Sequence, residues 1–133
     1  MTKILSKADI MAANDLKTET VEVPEWGGSV IVRTMTGLDR DQFEASMIKE
    51  DVGGKRQPDL TNMRAKLVAL TVVDESGDRV FEPSDIDALA RKSCEALDRV
   101  YRAAQKINGI GASALDGAEK NSEAAQSGDS GSV

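Results

Sequence analysis

Asp74, Ser76 and Asp78 have the alternate-residue spacing of the first ligands of a calcium-binding loop. The glycine such a loop needs next is replaced by Arg79, and its closing bidentate Glu by Asp85. A polar turn between two short β-rich runs accounts for the same residues. Gly53-Gly54-Lys55 has the ending of a phosphate-binding loop, but Lys49 stands where the upstream glycine belongs and Arg56 replaces the metal-binding Ser/Thr. It reads as a loop between helices. Asp39, Asp41 and Glu44 place three carboxylates in one stretch. On a first helical turn they complement the helix dipole, and acid–base work would require a pocket that separates their pKa values. Cys94 is expected to be a buried structural cysteine, since a nucleophilic thiol would want a partner base. The chain contains no His, which removes His-based catalysis and His-ligated metals together. No residue is assigned as catalytic, cofactor-binding or metal-binding.

The wider composition agrees with a binding or assembly role. A chain of 133 residues is one domain, or one domain with a tail. Its net charge of -6 repels a phosphate backbone, so no nucleic-acid partner is expected. One cysteine forms no intrachain disulfide, which fits a reducing compartment. Neither a membrane-spanning apolar run nor a signal-peptide core is present, and a soluble cytoplasmic protein is expected. The aromatic residues are Trp26, Phe43, Phe81 and Tyr101, so the core must rest on aliphatic side chains.

The elements that position these residues follow from periodicity. Ser6 caps a short helix over residues 7–14, with Asp9 in its first turn. Thr18–Val23 alternates as a strand, with Val21 and Val23 on one face. Pro24 ends it, Glu25-Trp26-Gly27-Gly28 turns the chain, and residues 29–35 return with Val30, Val32 and Thr34 on one face. Trp26 thus sits at a hairpin tip, either folded back on the domain or serving as a contact anchor. Thr36 caps a second helix running to about Glu50, with Phe43, Met47 and Ile48 on one face. Residues 51–58 form a loop. A third helix follows Asp59 and ends near Val72, with Leu60, Met63, Leu67 and Leu70 at helical spacing. Val72–Val73 and Val80–Phe81 can pair across the Asp74–Asp78 turn. A final helical region opens at Ser84 and is split by a Ser93 cap, and Asn108-Gly109 stops it.

The expected fold is α+β and mainly helical: an N-terminal hairpin followed by a small helical bundle, over residues 1–108. Residues 109–133 are rich in Gly, Ser, Ala and acids and contain no aromatic residue. They are expected to be a disordered tail.

The blocks Val21-Glu-Val-Pro-Glu-Trp-Gly-Gly28, Val30-Ile-Val-Arg33 and Thr36-Gly-Leu-Asp-Arg-Asp-Gln-Phe-Glu44 resemble the N-terminal half of siphophage tail assembly chaperones. Leu67–Phe81, Asp85-Ile-Asp-Ala-Leu89 and Ala103-Ala-Gln-Lys-Ile-Asn-Gly109 resemble the second half, in matching order. The resemblance implies a non-catalytic protein that binds the tape-measure protein and keeps it soluble until tail-tube subunits polymerise around it. It also implies self-association, location in the host cytoplasm and absence from the mature virion. A programmed frameshift would give an extended form that recruits the tail-tube protein, and this chain has the character of the short form. Glu119-Lys120-Asn121, if encoded GAA AAA AAC, would contain a slippery heptamer. Expected partner contacts are Trp26, Val30, Val32, Met63, Leu67 and Leu70. The alternatives are a minor virion component, for tail completion or the head–tail connection, and an intracellular adaptor unrelated to tails.

Overall fold

The computed structural model describes residues 2–110. The expected tail, Glu119, Lys120 and Asn121 included, lies outside the described residues apart from Gly109 and Ile110. In chain order the elements are α1 (Lys7–Ala12), β1 (Thr18–Val23), β2 (Gly28–Arg33), α2 (Gly37–Ala45), β3 (Ile48–Glu50), β4 (Arg56–Pro58), α3 (Met63–Thr71), β5 (Val72–Val73), α4 (Ile86–Ala90) and α5 (Cys94–Ile107). Single 3-10 turns occupy Pro24–Trp26 and Pro83–Asp85.

Strands β1 and β2 form the expected hairpin, antiparallel from Thr18 opposite Arg33 to Val23 opposite Gly28. Gly27 makes the corner at φ 76°, a conformation that costs glycine little. Its valines alternate inward, so that Val23 and Val32 are fully buried. Helix α5 lies across β1 and β2, and α3 packs between α5 and β2. Leu67, Val68, Leu97, Val100 and Tyr101 join the valines in one core. Burying each such side chain is worth about 1.5–3 kcal/mol.

The architecture is mixed α+β rather than mainly helical, because two short pairings add strands. Val72 and Val73 line up antiparallel to β2, opposite Val32 and Ile31, and give a three-stranded sheet of order β1-β2-β5. The expected pairing of these valines with residues 80–81 is reduced to a bridge between Val73 and Arg79.

The second addition replaces the end of a helix. The second helix stops at Ala45, not near Glu50. The Ser46 hydroxyl donates to the Phe43 carbonyl at 2.6 Å, and Ile48–Glu50 then pairs with Arg56–Pro58. Asp51 organises the connecting turn. Its Oδ1 accepts the N–H groups of Gly53 and Lys55, each at 2.9 Å, and its Oδ2 accepts from Gln57 Nε2 at 3.0 Å. The third helix begins at Met63, later than expected. Asn62 adopts φ 56°, and its side chain donates to Asp87 Oδ1 at 3.0 Å instead of capping the helix.

Helix α5 begins as expected, with Ser93 Oγ accepting the N–H of Ala96. It ends on Gly109 at φ 66°, where Gly109 N–H reaches Lys106 O and Ile110 N–H reaches Gln105 O. These are the two bonds of a Schellman motif. Ile110 is buried in the core just beyond the helix.

Candidate interaction surface

The residues with chemical potential are occupied by the fold. Thr36 and Asp39 make a reciprocal capping box at the start of α2. Asp39, which is buried, also pairs with Arg79. Asp41 and Glu44 are exposed on the same helix, and Arg40 donates to Glu44 at 3.0 Å. Asp74 Oδ1 accepts the N–H groups of Ser76 and Asp78 at 2.8 and 3.0 Å, so that carboxylate closes a turn. The amides of Gly53 and Lys55 point at Asp51, where a phosphate loop would present them to a ligand. Among the described residues no group of three or more His, Cys, Asp or Glu could hold a metal ion, and no helix is long and apolar enough to cross a membrane.

Cys94 is exposed, which corrects the expectation of burial. It is the first residue of α5, on the turn that follows α4.

The expected partner contacts divide by depth. Val32 and Leu67 are at 0% and 1% exposure; as core residues they present no surface, and that part of the expectation is corrected. Trp26, Val30, Met63 and Leu70 are half-buried against the core and keep an outward edge. Beside Trp26, Glu25 accepts from Arg99 Nε at 2.9 Å, which ties the hairpin tip to α5. That hydrogen bond also keeps the Glu25 carboxyl below the usual glutamate range.

Two clefts flank Leu60. One, of about 450 Å³, lies between the start of α3 and the α4–α5 junction. Leu60, Met63, Ala90 and Leu97 line it, with Arg64, Lys92 and Cys94 among its other walls. Arg64 is steered by Asp98, 3.5 Å away, and lies over the Tyr101 ring. The other cleft, of about 430 Å³, is bounded by Met47, Ile48, Pro58 and Leu60, with Glu44, Arg56 and Gln57 completing it. Both volumes fall in the ~300–1,000 Å³ range of binding clefts.

Helical spacing placed Leu60 and Ile48 on buried faces, yet they are 59% and 47% exposed. Sequence reasoning also passed over Ile4, Leu5, Ile10 and Met11, all exposed in the N-terminal segment. Their signal was present. Leu5 and Ile10 occupy the N′ and N4 positions around the Ser6 cap, where a hydrophobic staple forms.

Among solved structures the chain is similar to the tail assembly chaperone of bacteriophage HK97, with a TM-score of 0.52. The match covers 69% of this chain and 85% of that one at 18% identity, a likeness of fold. No curated protein matches the sequence. Residues 6–126 match the family model described as phage tail assembly chaperone. That span takes in the hairpin, both clefts and all of α5, and the chain therefore belongs to the phage tail assembly chaperone family.

Proposed function

We propose that this protein is a non-catalytic chaperone that binds the tape-measure protein of a long-tailed phage in the host cytoplasm. It holds that protein soluble until tail-tube subunits polymerise around it. The family match over residues 6–126 carries this reading. The surface supports it: large apolar side chains stand exposed on a chain of net charge -6. Apolar edges cover the stripe of a long helix, and the charge keeps the loaded complex in solution.

The cleft of Leu60 and Met63, with Trp26, Val30 and Leu70 as further half-buried contacts, is the proposed tape-measure surface. Its basic walls, Arg64 and Lys92, suit acids flanking an apolar helical stripe. Binding is weak per copy and gains strength from many copies along one tape measure. A frameshifted extended form would recruit the tail-tube protein, with the Glu119-Lys120-Asn121 codons as the slippage site.

Co-expression with the neighbouring tape-measure protein tests this. An otherwise insoluble tape measure is expected to become soluble and to co-purify, and Met63→Asp is expected to abolish that rescue while leaving the fold intact by circular dichroism. A tape measure that stays insoluble beside both short and extended forms would sink the proposal. The protein would then be sought in purified virions.

A further inference from the structure

Ile110, the last described residue, is buried. With Phe43, Met47, Met63 and Tyr101 it lines an apolar recess of about 160 Å³. Met63 is also a wall of the larger cleft that holds Leu60, Arg64 and Lys92. The chain therefore leaves the core beside that cleft, with Met63 shared between the two. It continues through Val133. In residues 111–132 Leu115 is the one large apolar side chain. Asp116, Glu119, Glu123 and Asp129 follow it, against Lys120 alone.

The cleft has the complementary character. Its charged walls are Arg64 and Lys92, both basic, and no acid lines it. Asp98 lies 3.5 Å from Arg64, but it is shared with Arg102 at 2.7 Å. Lys92 makes no ion pair among the described residues. No side chain caps the start of α3 and no acid lies in its first turn, so the positive end of that helix adds to the two side chains.

We propose that residues 111–119 turn back so that Leu115 enters this cleft of the same copy, with Asp116 and Glu119 beside Arg64 and Lys92. Three observations select that occupant. The exit at Ile110 and the cleft share a wall, and the five residues to Leu115 reach as far as roughly 17 Å. The charges of segment and cleft are opposite in sign. The family match runs on to residue 126, so the segment belongs to the part of the chain that the family shares. A tether this short presents Leu115 at an effective concentration on the order of millimolar, and a weak contact then suffices to fill the cleft. The seated segment imitates an acid-flanked apolar stripe and competes for the surface assigned above to the tape measure. That competition rests on the tape-measure reading; the docking does not.

Cys94, the sole cysteine, is exposed on the cleft wall and reports occupancy. Its labelling by a maleimide is followed on dilute full-length protein. A segment seated about nine-tenths of the time slows labelling about tenfold relative to Leu115→Asp. Asp116→Lys with Glu119→Lys should speed labelling in the same direction. Circular dichroism checks that both variants keep the fold. In Ala114→Cys, a disulfide to Cys94 should form within one chain and leave the protein monomeric on a non-reducing gel. Equal labelling of Leu115→Asp and the unaltered protein would overturn the proposal. A charge-reversed segment that protects Cys94 as well as the native one would overturn the selection by charge. Disulfides that only link two chains would place the segment in another copy and overturn docking within one chain. None of these readouts contains a tape measure. In binding titrations with the tape measure, Leu115→Asp should bind up to about tenfold more tightly, because the competitor is gone. Unchanged affinity beside demonstrated docking would overturn the competition and the assignment of this cleft to the tape measure, and would leave the docking standing.

Discussion

Asn108 bonds to two segments at once. Its Oδ1 accepts the N–H of Met35 at 2.6 Å, and its Nδ2 donates to Ala104 O at 2.9 Å. The end of α5 is thereby fastened to the chain between β2 and α2. Asn108→Ala leaves the Met35 N–H unpaired, and a loss of about 1–3 kcal/mol is expected in urea unfolding. Glu25 is a second such residue, and its contribution depends on pH. Arg99 lowers the Glu25 pKa, so the tie to α5 is intact above the ordinary glutamate range and is lost as pH falls through the depressed value. Trp26 beside it is the sole tryptophan. Its fluorescence is expected to shift on acidification, and Arg99→Met should move that transition to higher pH, toward an unpaired glutamate. An unmoved transition would mean that the pair does not hold the hairpin tip.

At the scale of elements, α3 shows how far a periodic stripe can be trusted. Leu60, Met63, Leu67 and Leu70 share one helical spacing, but the helix begins at Met63 and Leu60 lies outside it. Inside the helix, burial extends beyond that stripe to Ala65, Val68, Ala69 and Thr71, because α3 is packed by α5, β2 and α2 together. The Thr71 hydroxyl satisfies itself on Leu67 O at 2.8 Å. Leu67→Ala is therefore expected to cost about 2–5 kcal/mol. Leu60→Ala should stay within about 0.5 kcal/mol, as an exposed substitution does. Equal costs in thermal melts would contradict this division of the stripe.

For the whole molecule, stability is concentrated where α3 and α5 meet the sheet. Hydrogen exchange should show it. Amides around Val68 and Val100 are expected to exchange only on global unfolding. Those of Ile10 and Met11 in α1 should exchange nearly unprotected in dilute solution, since no residue of that helix is buried. Protection in α1 at dilution, equal to that of α5, would show that the helix is already seated on its own domain. The family likeness sits at this scale too: 18% identity with the HK97 protein accompanies a shared fold, so the arrangement of elements persists where most side chains differ.

The features legible in sequence were those fixed by neighbours a few residues apart. The Ser6, Thr36 and Ser93 caps, the Pro24–Gly28 turn, the alternation of β1 and β2 and the Asn108-Gly109 stop are all local, and each appears where residue type and spacing placed it. The order of these blocks also revealed the family, whose model matches residues 6–126. Tertiary structure decided what depended on distant partners. Two valines after α3 become a strand because Ile31 and Val32 offer an open edge. The chain after Ala45 leaves its helix because Arg56–Pro58 pairs with it. Cys94 lies exposed, while Val32 and Leu67 vanish into the core. Periodicity states that a face is apolar; it does not state what covers that face. Burial depends on residues far along the chain, so the contact surface became visible only once α3, α5 and the sheet had taken their share of the apolar side chains.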